Sequence, residues 1–460
     1  MDPGKQFGSA LPWAEPAWYS GRPSPYYNES HFKLRDAVRK WTEENTMDKT
    51  EEWRALGKVP DDVYQKCARD GLLLPIAFGK SIPEEFAHYP IIGGIKAKEW
   101  NGFHDFVLWD ELCRSESISS VFVGLTVGAP PIRQFASKWL QKKILPEILS
   151  GQKRICLAVT EPSCGSDVRN LATTAEKSAC GKYYIVNGEK KITNVDFTGS
   201  PTACIQTISW PMTAMERNPS FQQSQTAVRT GGPGADGISF LLIPRTEGIR
   251  TRKIEIGADG LSATTYIIFE DVKVPVEYLV GSEGQGFRYV MSNFNHERLW
   301  IAFQALRNAR TCLQDAMAWA MKREAFDMKL IDQPVVRYKF GSMAKEVEAL
   351  QAWTEQIVYE LDHMSYQDGN RQLGGVTALL KVKGGQMNKF VADNCVQIMG
   401  GFETARLGLT KTGQGSRIEA ISRSTHSLIV PGGSEDVLID LGVREALKLS
   451  AAKVKKGAKM

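Results

Sequence analysis

The residues best suited to chemistry fall in two segments about twenty residues apart, AVTEPSCGSD (158–167) and NGEKKITN (187–194). Small side chains at Gly165 and Ser166 let backbone N–H groups and a hydroxyl approach a polar or anionic ligand closely, and Thr160 and Thr193 add further hydroxyls. The same letters also have a plainer reading. TEP and NG are ordinary turn sequences, and Asn187-Gly188 between the apolar runs YYIV and ITNV gives a good hairpin signal. Each segment alone is weak; the two together point to one ligand surface.

The elements that must position these residues can be read from the apolar period. From Cys156 to Tyr278 it is two, in YYIVNGEKKITN, GISFLLIP, RKIEI and ATTYIIFEDVKV, which predicts a small β-domain over 156–278. From Ser30, which serves as an N-cap, SHFKLRDAVRKWTEEN has helical spacing, as do DDVYQKCARDGLLL up to Gly71 and QFASKWLQKKILPEILSG. These predict a helical domain over 30–155. Three long helical patterns between GFRYVMSNF and QIMGG predict a helix bundle within 279–460. Residues 1–29 hold Pro3, Pro12, Pro16, Pro23 and Pro25 among aromatic residues, a composition for an extended surface arm. Two stretches read as long connections: FGKSIPEEFAHYPIIGGIKAKEWNG, and the Gly-rich WPMTAMERNPSFQQSQTAVRTGGPGADG, expected to be a mobile loop interrupting the β-domain. The fold class is therefore α+β and multidomain.

Composition narrows the function. With 460 residues, 42% hydrophobic and 24% charged, the chain is long enough for two or three cores. It holds no apolar run long enough for a membrane-spanning helix, and MDPGKQFGSALPW lacks the layout of a secretory signal, so an intracellular protein is expected. Eight scattered cysteines without metal-ligand spacing imply reduced thiols, with no disulfide and no zinc or other metal site. The net charge of +5 is concentrated only in the final KVKKGAKM, thin support for binding nucleic acid.

The paired segments resemble the TEPxAGSD and NGxKxWITN motifs of the acyl-CoA dehydrogenase family, and the resemblance extends from about residue 30 to residue 446. It implies a helical N-terminal domain, a small β-barrel-like middle domain and a C-terminal four-helix bundle. It also implies bound FAD, an acyl-CoA substrate, and removal of an α-proton by a carboxylate while the flavin takes the β-hydride, giving a trans-2-enoyl-CoA. The family's usual base belongs to a YEGT motif, where this chain has PGGS, so the glutamate position is Gly432. Members resembling isovaleryl-CoA and long-chain dehydrogenases place the base on a helix in LDxER. This chain has FNHER there, and Glu297 fills the position. Its helical neighbours Asn293, Phe294, Trp300 and Ile301 form a largely apolar stripe that would raise its pKa. The alternative is a Glu297 that pairs with a basic residue across the bundle.

Other roles carried by the resemblance follow. Arg298 positions substrate electrostatically, and the Gly432 N–H would still hold the thioester oxygen, since glycine keeps that donor. Val159, Thr160, Gly165, Ser166, Ile192 and Thr193 match flavin-lining positions, with Ser166 open to a substrate role. KREAF supplies Arg323 for the FAD pyrophosphate and Phe326 beside it, QIMGG supplies Gln397, Gly400 and Gly401, and Ser434 joins the cofactor set. In the family several of these come from a neighbouring subunit, implying a homodimer or homotetramer. Lys191 replaces the tryptophan of WITN, facing either the flavin or solvent, which leaves an electron-transferring flavoprotein or oxygen as acceptor. Ala458-Lys459-Met460 resembles a peroxisomal import tripeptide; otherwise mitochondrial or cytoplasmic placement is expected. Two readings stay open beside the leading one: a non-CoA substrate such as a nitroalkane, an amine or an aromatic ring, and a nucleic-acid-binding flavoprotein of the alkylation-response branch.

Overall fold

A computed structural model describes residues 6–115, 118–194, 222–254, 256, 264–402 and 416–457. The import-like tripeptide Ala458-Lys459-Met460, residues 210–221 of the second connection and the side chains of Ile192, Thr193 and Asn293 lie outside the described residues.

The N-terminal helical layer begins at a capping box. The Asn28 side chain accepts the Ser30 N–H at 3.0 Å, and the His31 ring accepts the Asn28 N–H at 3.0 Å, so helix α1 (Glu29–Asn45) is capped two residues earlier than Ser30. Five more helices line or complete the layer before the last: α2 (Thr50–Leu56), α3 (Asp61–Arg69), α4 (Leu73–Phe78), α5 (Gly102–Leu112) and α6 (Ile118–Phe135), then α7 (Lys138–Leu149). Between α3 and α4 the chain turns at Gly71, whose φ is 82° and where a Cβ would come within 2.7 Å of the Ile92 backbone. Only glycine meets both demands. The close approach pins the connection 79–101 to the domain, and Phe86, Ile91, Ile92, Ile95 and Trp100 in it are buried.

The arm does more than lie on a surface. It carries a short 3-10 turn at Ala17–Ser20 and buries Trp18, Tyr19 and Tyr27. Its Glu15 carboxylate meets Arg39 at 3.1 Å, Arg307 at 3.0 Å and Arg114, while Arg307 also binds Asp110 through Nε at 3.0 Å. The arm is thus wedged between the first and last domains.

Among the described residues seven strands form one sheet in the order β1-β4-β2-β3-β7-β6, with β5 added on β4. They are β1 (Arg154–Ala158), β2 (Thr174–Lys177), β3 (Tyr183–Asn194), β4 (Gln222–Arg229), β5 (Ile238–Pro244), β6 (Ile249–Lys253) and β7 (Thr264–Pro275). Two expectations are corrected here. Asn187-Gly188 is no hairpin: β3 runs straight through it with a register shift against β7 between Val186 and Gly188. Gly188 has φ 137°, and a Cβ there would sit 2.7 Å from Thr173 Cα, so the glycine serves a bulge under a crossing chain. The second correction concerns the supposed mobile loop, which contains β4. That strand pairs parallel with β1 and antiparallel with β5, and buries Gln223, Ser224, Gln225 and Thr226.

The C-terminal domain is a bundle of α8 (Gly286–Ala320), α9 (Pro334–Asp362), α10 (Tyr366–Met399) and, after the short helices α11 (Ser416–Arg423) and α12 (His426–Ile429), α13 (Glu435–Gly457). Helix α10 packs against the other three long helices. Helices α8 and α10 run in the same direction at close range: Gly374 lies against Asn295, and a Cβ at Gly384 would touch Ala302 and Ala305 at 3.4–3.8 Å. Small residues bring the two backbones together, which sets up the site below. No helix among the described residues is long and apolar enough to cross a membrane.

Candidate active site

After β1 the chain enters the loop 159–173, and a buried ion pair fixes that loop to β3. Glu161 accepts Lys190 Nζ at 2.6 Å, the Thr173 N–H at 3.0 Å and the Ala172 N–H at 2.5 Å. Lys190 Nζ also donates to the Val159 carbonyl at 3.1 Å, and the Lys191 N–H donates to the Thr160 carbonyl at 2.9 Å. Burial pushes the Lys190 ammonium down to about 8 against the pull of Glu161. Burial would raise the Glu161 carboxyl, but Lys190 and its amide donors hold it below the usual range. The two motif segments are therefore one rigid unit. Sequence reading passed over this pair because a Glu in a turn and a Lys in an EKK run look solvated; the alternation of β3 is the signal that places Lys190 inside.

On this frame Gly165 and Ser166 are exposed, and the space where a Gly165 side chain would stand is open to 4 Å. Val159 is buried, Thr160 and Lys191 are half-buried, and Ile192 and Thr193 follow on β3. Open backbone with a neighbouring hydroxyl suits a flat, polar-edged cofactor, and the set fits FAD.

Glu297 stands in the fourth turn of α8, with Trp300 and Ile301 buried on the same face and Phe294 half-buried. It is 8% exposed, and among the described residues its carboxylate has neither an ion pair nor a hydrogen bond. Burial pushes its pKa up to about 7, the nearby Arg298 and Lys381 pulling the other way. The expected alternative, a structural pair across the bundle, is not what the geometry shows. Neighbouring His296 is half-buried, and desolvation holds it neutral, down to about 4.

The PGGS turn closes on the same point. Gly432 is buried with φ 68°, and Gly433 follows with φ 115°, both in the region that favours glycine. A Cβ at Gly432 would lie 3.8 Å from the Glu297 carboxyl carbon and 3.4 Å from Arg298 and Ile301. A carboxylate borne by residue 432 and one borne by residue 297 would thus compete for one place, and this chain fills it from the helix. Arg298 Nε donates to the Gly432 carbonyl at 2.9 Å, and its Nη1 donates to Asn295 at 3.1 Å. Among the described residues nothing accepts the Gly432 N–H. Ser434 is half-buried and its carbonyl accepts the Leu438 N–H in the first turns of α13.

The remaining predicted residues lie elsewhere. Arg323 and Phe326 follow the end of α8, beside a small hairpin of β8 (Glu324–Ala325) and β9 (Met328–Lys329), with Arg323 exposed and Phe326 88% exposed. From Glu297 to Ala320 the helix rises about 35 Å. Gln397, Gly400 and Gly401 are exposed at the end of α10, which is parallel to α8, so they share that far end. Within one chain this group is not brought to Glu297. Among the described residues no group of His, Cys, Asp or Glu is arranged to hold a metal.

Comparison with known proteins agrees with this architecture. Residues 28–152, 156–272 and 284–447 match, in turn, the N-terminal, middle and C-terminal domains of acyl-CoA dehydrogenase. The chain is 41% identical over 459 residues to the acyl-CoA dehydrogenase apdG of Emericella nidulans, covering 97% of this chain and 98% of that one. It is 34% identical over 449 residues to the acyl-CoA dehydrogenase AFT10-1 of Alternaria alternata, covering 96% and 97%. Its fold is that of an acyl-CoA dehydrogenase from Geobacillus kaustophilus, with a TM-score of 0.76 at 24% identity, over 92% of this chain and all of the other.

Proposed function

Since the chain belongs to the acyl-CoA dehydrogenase family, FAD-dependent oxidoreductases, we propose that Glu297 removes the α-proton of an acyl-CoA thioester on the way to a trans-2-enoyl-CoA. The observation that carries this is a buried carboxylate without a partner, set against the turn that replaces the family's usual base. A base near pH 7 is ionised often enough to act and still basic enough to pull a weakly acidic C–H. The Gly432 N–H, which nothing among the described residues accepts, would be the donor to the developing enolate oxygen, and glycine at this left-handed position leaves no side chain beside it. Arg298 fixes that turn from α8. Val159, Thr160, Gly165 and Ser166 would hold the FAD ring side, together with Ile192 and Thr193; when bound, FAD would take the hydride that leaves the β-carbon.

The pyrophosphate set of Arg323, Phe326, Gln397, Gly400 and Gly401 then serves the site of a second copy of the chain, with Ser434 completing the cofactor contacts. The distance along α8 supports this, as does the apolar surface at that end, where Phe326, Val335 and Tyr338 are 88%, 61% and 75% exposed. The proposal is a homodimer or homotetramer. The acceptor for the electrons is oxygen or an electron-transferring flavoprotein, with half-buried Lys191 where the family has tryptophan.

The test is an anaerobic titration of the purified yellow protein with saturated acyl-CoAs of graded length and branching, followed by air. Bleaching of the flavin is expected; fast recovery in air identifies an oxidase, and persistent bleaching a dehydrogenase. No bleaching by any thioester, with bleaching by a nitroalkane, an amine or an aromatic compound, would replace the proposal with the non-CoA reading.

A further inference from the structure

We propose that Lys381 is a positioning residue of this site: from α10 it holds the Gly432 turn against Glu297 and supplies, beside Arg298, a positive charge that helps keep that carboxylate able to ionise. This rests on the reading of Glu297 as the base. Lys381 is 1% exposed, and its Nζ donates to the Gly433 carbonyl at 2.8 Å and to the Ile429 carbonyl. Those two carbonyls bracket the chain from Val430 to Gly432. The turn is therefore gripped from both parallel helices, by Arg298 of α8 at the Gly432 carbonyl and by Lys381 of α10 on either side of it.

Neutral carbonyls satisfy hydrogen bonds but do not neutralise an ammonium. A buried lysine that bonds only carbonyls keeps its charge for more distant groups, at a real desolvation cost. The charged groups that face it are Glu297 and Arg298 on α8 and Glu435 on α13; those that face Glu297 are Arg298 and Lys381. Burial pushes Lys381 down to about 8, with Glu297 and Glu435 supporting its charge and Arg298 opposing it. The pull is mutual, so Lys381 lowers Glu297 from where burial alone would leave it. Arg298 likewise bonds only neutral oxygens, of Gly432 and Asn295, and pulls Glu297 the same way, so removing Lys381 takes away one of two cations and is expected to shift the carboxylate without freeing it entirely.

The test needs no turnover. Infrared difference spectra of the FAD-loaded enzyme recorded between pH 5 and pH 9 follow the protonated carboxyl stretch of Glu297, identified by its loss in Glu297→Gln. In Lys381→Met the midpoint of that band is expected to rise by at least half a pH unit, and in Lys381→Arg, which keeps the charge, to return to within a few tenths of wild type. Should Lys381→Met fail to fold, Lys381→Gln retains a donor for the carbonyls without the charge and gives the same reading. An unmoved midpoint in the neutral variants, or equal movement in the neutral and arginine variants, overturns the proposal, as does a wild-type spectrum with no Glu297 band in this range. Thioester bleaching at the wild-type rate in Glu297→Gln would instead remove the base assignment, and the band would still report whether Lys381 sets the ionisation of Glu297.

Discussion

Two regions of this molecule bury carboxylates to about the same depth and treat them oppositely. At the arm, Glu111 is fully buried and Glu15 is 8% exposed, and each meets two or more arginines from Arg39, Arg114 and Arg307. Burial acts to raise both, but the arginines win and hold both carboxyls below the usual range. In the bundle, Glu297 is also 8% exposed, meets no ion-pair partner among the described residues, and goes up. Depth does not distinguish a structural carboxylate from a reactive one; the presence of a bonded counter-charge does. The arm network fastens the first domain to the last, whereas the bundle site carries an unmet demand for a proton.

Removing one side of the paired network should show the largest stability effect. Arg307→Met leaves Glu15 and Asp110 short of a cation and is expected to cost about 3–5 kcal/mol in denaturant unfolding, with bleaching by thioesters retained in the protein that stays folded. A loss under 1 kcal/mol would mean that the network contributes little.

The opposite sign is expected at the bundle. Glu297 has a folded pKa of about 7, above the ordinary 4.5, so the folded state holds its proton more tightly than the unfolded chain does. Its contribution to stability is intact below about pH 4.5 and is lost as pH rises through about 7. Glu297→Gln escapes that loss, and should be more stable than wild type by up to about 3 kcal/mol at pH 8 while matching it near pH 4. A pH-independent difference would break the contrast between the two regions. The smallest effect belongs to the turn: Gly432→Ala meets ordinary contacts at 3.4 Å but must hold φ 68°, and is expected to cost about 1–2 kcal/mol. Thermal melts at one pH suffice to measure it.

What could be read in the sequence followed the strength of its periodic signal. The long helices of the bundle and the place of Glu297 on an apolar stripe were legible, because four or five turns of regular spacing leave little choice. Strand β4 was not: QQSQTAVR shows no apolar alternation, since its Gln and Ser side chains are buried by neighbours on both flanks instead of marking a solvent face. Asn187-Gly188 misled for a related reason. The local turn preference was overruled by the pairing of β3 with β7 and by the crossing of Thr173 over Gly188. Lys381 was invisible for a third reason, as lysines are rarely buried and nothing local announces a partner 48 residues away, whereas for Lys190 the alternation of β3 marks the inward side but not the partner 29 residues away. The grouping of Arg323 with Gln397 and Gly400 at the far end of the bundle needed the parallel course of α8 and α10, which no local pattern states.

The most direct measurement is the rate of anaerobic flavin bleaching by an accepted acyl-CoA, taken from pH 5 to pH 9 by rapid mixing, for wild type and Glu297→Gln with equal FAD content. The expected result is a wild-type rate that climbs with pH through a single limb near 7 and a variant slower by about 100- to 10,000-fold. A wild-type rate independent of pH, or a variant that bleaches as fast as wild type, would contradict Glu297 as the base.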